Sequence, residues 1–236
     1  MMELLETKNV SYTYQGKYQK VEALKNINCH FEKGKLYAII GQSGSGKTTL
    51  LSILAGFCKP TSGEVYVDGK LLEKKDLESH RRDNISMIFQ SFHLFPLLTV
   101  LENVMYPMQI IKEPKDIIEN KAKELLEKVG IPATYYKKLP AMLSGGEQQR
   151  VAIARALASK ANFILGDEPT GNLDSINGTK IIELFEKLVN QDYCVIIVTH
   201  DLSIAAKADV VYQMKDGNIE LKKWLIYCYG EKNNDK

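Results

Sequence analysis

No apolar run in the 236-residue sequence approaches the length needed to cross a bilayer, about 20 residues. The apolar stretch Trp224–Tyr229 is far too short. The opening MMELLETKNV lacks the basic, apolar and small-residue layout of a signal peptide. A cytoplasmic chain is therefore expected rather than a membrane-spanning or exported one. Cysteine is scarce as well: Cys29, Cys58, Cys194 and Cys228 are scattered with no CxxC pair, which argues against a disulfide framework or a zinc site and for reduced thiols. Charge of one sign is also missing. With 31 basic and 29 acidic residues the net charge is only +2, without the basic excess of a dedicated nucleic-acid binder. Repeats and low-complexity segments are absent, and only Glu231–Lys236 reads as a frayed end.

What is present suits one well-cored unit over residues 1–236, with 44% hydrophobic and 25% charged content. Short β-rich runs, Leu4–Val10, Leu36–Ile40, Ile85–Phe89, Phe163–Leu165, Cys194–Thr199 and Val210–Met214, alternate with helical patterns. That alternation predicts an α/β fold around a mainly parallel sheet. The unbroken apolarity of YAII, NFILG and CVIIV predicts central strands covered on both faces. From Gln90 to about Lys160 the strand signal fades. Ile117–Val129 reads as an amphipathic helix closed by Gly130 and Pro132. The expected organisation is a core of residues 1–90 and 160–225, an inserted helical subdomain at 91–159, and a tail at 226–236.

Between the strand LYAII and the helical TLLSILAG lies Gly41-Gln42-Ser43-Gly44-Ser45-Gly46-Lys47-Thr48, the pattern GxxxxGK[ST] in its required context. Glycines let the loop curl so that successive N–H groups point inward, and the following helix adds its positive N-terminal end. A polyphosphate fits such a loop. Lys47 is placed to neutralise the β- and γ-phosphates, and the Thr48 hydroxyl to serve as a Mg²⁺ ligand. Thr49 follows at the start of the helix and completes the expected ATP-binding set.

The run Phe163-Ile164-Leu165-Gly166-Asp167-Glu168-Pro169 is a buried strand ending in two carboxylates. Ligand chemistry in open α/β sheets gathers at the carboxyl ends of strands. Asp167 is therefore the expected second Mg²⁺ residue, and Glu168 the expected general base for water. The same letters also suit an ordinary turn after a strand. A further strand delivers His200 and Asp201 to that edge. His200 is either a donor to the γ-phosphate or an ordinary polar residue.

Leu143-Ser144-Gly145-Gly146-Glu147-Gln148-Gln149-Arg150 precedes the apolar helix VAIARALAS, and Ser144 with Glu147 has capping-box spacing. This second helix start, opened by two glycines, is suited to another phosphate. In this order GQSGSGKT, LSGGEQQR, ILGDEPT and VTHD resemble the ABC transporter ATPase family, over about Leu4 to Leu221.

The resemblance implies a P-loop NTPase core with an N-terminal antiparallel β portion and an inserted α-helical subdomain. It implies ATP hydrolysis with Mg²⁺, in a head-to-tail dimer with a second copy or a related ATPase. Ser144, Gly145, Gly146 and Glu147 would then face the ATP held by the other subunit. It also matches Gln90 to the family's Mg²⁺ and γ-phosphate sensor, and Gly171-Asn172-Leu173-Asp174 to the interface loop, with Asp174 at the dimer contact. The adenine-stacking ring corresponds best to Tyr14, with Tyr12 as the alternative. Stacking reads bases weakly. No NKxD element of the GTP-binding kind is present. Gly166 departs from the larger apolar residue usual before the aspartate, and is expected to soften that strand.

The GNLD loop, the linker after Tyr14 and LFPLLTVLENV resemble the subgroup serving macrolide efflux, lipoprotein release and antimicrobial-peptide export. Membrane permeases on separate chains are the implied partners, with the ATPase peripheral on the inner face of the membrane. The cluster Phe92, Leu94, Phe95, Pro96, Leu97 and Leu98 either receives such a permease or packs the helical subdomain. The alternative function is a regulatory or mechanotransmission ATPase that transports nothing.

Overall fold

The computed structural model describes residues 4–16, 19–159 and 161–222. The Trp224–Tyr229 run, Cys228 and the tail at 226–236 lie outside the described residues.

Two sheets form. β1 (Leu4–Gln15), β2 (Lys20–Glu32), β4 (Ser62–Val67) and β5 (Lys70–Leu71) make an antiparallel sheet in the order β2-β1-β4-β5. The second sheet has the order β10-β9-β3-β8-β7-β6. Its strands are β3 (Leu36–Ile40), β6 (Ile85–Phe89), β7 (Phe163–Asp167), β8 (Cys194–Thr199), β9 (Val210–Lys215) and β10 (Asn218–Lys222). All of its neighbours are parallel except the β9–β10 hairpin.

The parallel strands end close to where apolar continuity puts them. Every residue of β3 and β8 is buried, as central strands require. Alternation splits the core in two. Leu36, Ala38, Ile164, Val195 and Ile197 face the helical side, whereas Tyr37, Ile39, Leu165, Ile196 and Val198 face α1 (Lys47–Leu54) and the antiparallel sheet. Gly166 leaves β7 intact: it pairs with Ile88 and Ile197, and the Pro169 ring occupies the space a side chain would take.

After α2 (Leu77–Ser79) come α3 (Val100–Ile110), α4 (Lys115–Lys128) and α5 (Gly145–Leu157), with no strand among the described residues between β6 and β7. Capping boxes start α3, from Thr99 and Glu102, and α5, from Ser144 and Glu147. Ile118, Ala122 and Leu126 recur every four residues and bury one face of α4. α6 (Ser175–Val189) and α7 (Leu202–Lys207) complete the helical layer.

Four strands, the two-residue β5 among them, were not anticipated by apolar runs. β2, β4 and β10 are short of continuous hydrophobics because one side of each is exposed. β1 also runs five residues past Val10, so Tyr12 and Tyr14 lie in a strand rather than a loop.

Candidate nucleotide-binding site

Parallel register gathers the motifs on one edge. Ile40 pairs with Thr199, Val198 with Asp167, and Asp167 with Phe89. The residues that follow these strands, Gly41, His200, Glu168 and Gln90, therefore emerge side by side at the carboxyl end of the sheet. A cavity of about 750 Å³ opens there, lined by Tyr14, Ser43, Gly44, Gly46, Lys47, Thr48, Thr49, Glu168 and His200 among others.

The loop 41–46 is held by close backbone approaches. A Cβ on Gly41 would lie 2.4 Å from the Met214 carbonyl oxygen, and one on Gly46 2.4 Å from that of Ala23. Gly46 also adopts a φ of 105° as it caps α1, a conformation that side chains resist. Inside the loop Lys47 Nζ donates to the carbonyls of Gly41 and Gln42 at 2.8 and 2.9 Å. Ser45 Oγ is buried without a hydrogen-bond partner. A buried hydroxyl left so is costly. The loop, its lysine and the eight-residue helix behind it fit a polyphosphate.

At the end of β7 the Thr48 hydroxyl donates to Asp167 Oδ1 at 3.4 Å. Burial pushes the Asp167 carboxyl above its ordinary range, and the Glu168 charge adds to this while Thr48 and Lys47 oppose it. Among the described residues no group of three or more His, Cys, Asp or Glu could hold a metal ion. A cation between Thr48 and Asp167 would thus need oxygens from its ligand and from water, which is how Mg²⁺ sits beside phosphates. Glu168 takes a left-handed φ of 49° and donates its N–H to Val198, while its carboxylate accepts from His200 Nδ1. His200 thus meets the carboxylate within this chain.

Tyr14 also lines the cavity, 49% exposed, its hydroxyl 3.0 Å from Thr49 Oγ1. Tyr12 contacts its ring edge-on at 4.9 Å and does not line the cavity. Of the two tyrosines only Tyr14 offers a face to a base. The wall beside it comes from Val21, Glu22, Ala23 and Lys25 of β2 with Asp216 and Gly217 of the β9–β10 turn. None of these was anticipated. The alternation of β2 was the available signal, masked by its charged residues.

Other expected residues are not brought into the cavity. Gly41, Gln42, Ser45 and Asp167 do not line it, and Gln90 turns to Asn172, its Nε2 donating to Asn172 Oδ1 at 3.0 Å. Ser144, Gly145, Gly146 and Glu147 form the start of α5 outside it. The Ser144 N–H donates to Glu147 Oε2 at 2.8 Å and, as the leading cause, holds that carboxyl below its usual range. Asp174 caps α6 by accepting from the Asn177 N–H at 2.9 Å, a local role the sequence reading did not assign.

The apolar loop after Gln90 divides. Leu94 packs against the core, whereas Phe95 and Leu97 are exposed, Leu97 by 88%. Phe92 and His93 hold left-handed φ values of 60° and 47°, and Arg155 donates to both of their carbonyls. Asn103, fully buried, bonds the backbone of Phe95, Leu98 and Thr99. Pro107, Ile110 and Ile111 line a cavity of about 340 Å³ with Arg81 and Arg82.

The family described as ABC transporter matches residues 24–171. An uncharacterised ABC transporter ATP-binding protein of Methanocaldococcus jannaschii, MJ0796, is 42% identical over 229 residues, covering 94% of this chain and 97% of its own. The lipoprotein-releasing system ATP-binding protein LolD of Francisella tularensis is 43% identical, covering 92% and 96%. Among solved structures, the dimeric post-hydrolysis cassette MJ0796 bound to ADP and Pi superposes with a TM-score of 0.83 at 41% identity, covering 92% of this chain and 96% of that one. The cbiO1 protein of Clostridium perfringens, part of a cbiONQ transporter complex, gives 0.87 at 30%, covering 98% and 92%.

Proposed function

Because the chain belongs to the ABC transporter family, we propose that it is the ATP-binding and ATP-hydrolysing subunit of a transporter, working as a dimer with its permease on separate chains. The observation that carries this reading is the convergence of Lys47, Glu168 and His200 on one cavity that Tyr14 also lines. A polyphosphate is held by the loop 41–48, and a base stacks on Tyr14.

Mg²⁺ would be held by Thr48 and Asp167, with Gln90 nearby, and would supply charge neutralisation at the transferred phosphoryl group. Lys47 leaves the loop carbonyls for the phosphates. Glu168 takes a proton from the attacking water, held in place by His200 and by its bond to β8. The base is bound by stacking, with little readout of its edges.

Ser144, Gly145, Gly146 and Glu147 lie outside the cavity of their own chain and serve the ATP of a second subunit, with Asp174 near the contact. The dimeric state of the MJ0796 cassette supports this arrangement. Residues 1–90 and 160–225 act as the nucleotide-binding core and 91–159 as the helical subdomain. The exposed Phe95, Leu97 and Tyr106 and the groove at Pro107 and Ile110 receive a cytoplasmic helix of the permease.

No helix among the described residues is long and apolar enough to cross a membrane. The subunit is placed on the inner face of the membrane by its permease. Similarity to LolD favours export of the lipoprotein, peptide or drug type. The test is to tag the protein in its native cell, solubilise membranes gently and identify what co-purifies. A permease with a large extracytoplasmic domain supports the reading, and recovery without any membrane protein contradicts it.

A further inference from the structure

Asn172 bonds two groups of one residue. Its Nδ2 donates to the Gln90 backbone carbonyl at 3.0 Å, and its Oδ1 accepts from Gln90 Nε2 at 3.0 Å. The first bond settles the second. A backbone carbonyl only accepts, so the Asn172 amide must turn its nitrogen to it. The Asn172 oxygen then faces Gln90, and because that oxygen only accepts, Gln90 must present its nitrogen. The amide end left over on Gln90 is Oε1. Gly171 keeps the space open, since a Cβ there would stand 2.9 Å from Gln90 Nε2.

Gln90 directly follows Phe89, which pairs with Asp167 across β6 and β7. Gln90 therefore leaves the sheet beside the strand end that carries Asp167 and Glu168, and a divalent cation there accepts oxygen and is repelled by an NH₂ group. We propose that Asn172 is a positioning residue that fixes the amide orientation of Gln90, so that Oε1 rather than Nε2 is offered to Mg²⁺ at the ATP site. The proposal rests on the reading of Gln90 as a Mg²⁺-side residue.

The experiment measures equilibrium ATP binding as Mg²⁺ is titrated, together with ATP binding in a chelator and thermal stability, for Asn172→Ala, Asn172→Asp, Gln90→Ala and the Asn172→Ala/Gln90→Ala pair. Asn172→Ala should raise the Mg²⁺ concentration for half-saturation about tenfold, the effect expected when an outer-shell partner is removed, whereas Asn172→Asp, which keeps an oxygen to accept from Gln90 Nε2, should raise it less. ATP affinity in the chelator should stay within about twofold of wild type. Gln90→Ala should raise the Mg²⁺ requirement similarly, and the double variant should go no further. If Gln90→Ala raises it while Asn172→Ala does not, the proposal fails and the Gln90 reading stands. If Gln90→Ala changes nothing, that reading fails and takes the proposal with it. A full Asn172→Ala effect persisting without Gln90 also overturns it, because Asn172 would then act through another group.

Discussion

His200 Nδ1 lies 2.9 Å from Glu168 Oε1 and 2.7 Å from Oε2, so one ring nitrogen contacts both carboxylate oxygens. The backbone of Glu168 is tied to the same strand end through Val198. A left-handed φ at a residue with a side chain costs about 1–2 kcal/mol. Here that conformation carries the carboxylate to the cavity wall.

Replacing Glu168 with Gln keeps the side chain's shape and removes the base. ATP binding should persist, and turnover should fall by at least about 100-fold. Size-exclusion chromatography with ATP should show a stable dimer. Turnover near that of wild type would overturn the assignment of Glu168.

Lys47→Ala should act on binding itself, because the ammonium is the cation inside the loop. Loss of charge-assisted bonds of about 1.5–3 kcal/mol corresponds to roughly 10-fold or more in ATP affinity. Calorimetry with ATP measures it, and an unchanged affinity would count against the phosphate cradle.

Leu97→Asp is the cleanest probe of the permease surface, since Leu97 is 88% exposed. The isolated subunit should keep its thermal stability and basal ATPase, while stimulation by the permease in reconstituted vesicles is lost. Phe95→Asp should uncouple as well, with some loss of stability, because the Phe95 ring packs against Tyr106 at 4.6 Å and lies near Arg155. Loss of basal ATPase in Leu97→Asp equal to the loss of coupling would argue for packing instead.

Asp167 gives a pH prediction. Its folded-state carboxyl is raised, chiefly by burial, so the folded protein holds a proton that the unfolded chain has released. Stability is therefore fully present below the ordinary Asp value and falls as pH rises through the raised one. Without nucleotide or Mg²⁺, Asp167→Asn should raise the melting temperature above that window and gain nothing below it. Melting curves across about pH 3 to 7 test this, and equal curves at both ends would contradict it.

Much of this was legible because its physics is local. The apolar runs of β3 and β8 announced central strands, the GxxxxGK[ST] loop needed only its flanking strand and helix, and the Ser144–Glu147 capping box closed within one turn. What stayed hidden depends on distant partners. β2 mixes charged and apolar residues, and only its pairing with β1 makes it a cavity wall. Asn172 gained its meaning from a residue 82 positions away. Asn103 and Arg155 read as ordinary helix residues until the backbone turns they hold were placed beside them.

The start of α5 stands apart from the cavity of its own chain. If two chains complete each site, a lone molecule is a half-finished catalyst. Rate per molecule would then climb with concentration at high dilution and level off once encounters are no longer scarce. A permease that holds two copies together would abolish that dependence, letting a few molecules in a membrane work as fast as a crowded solution.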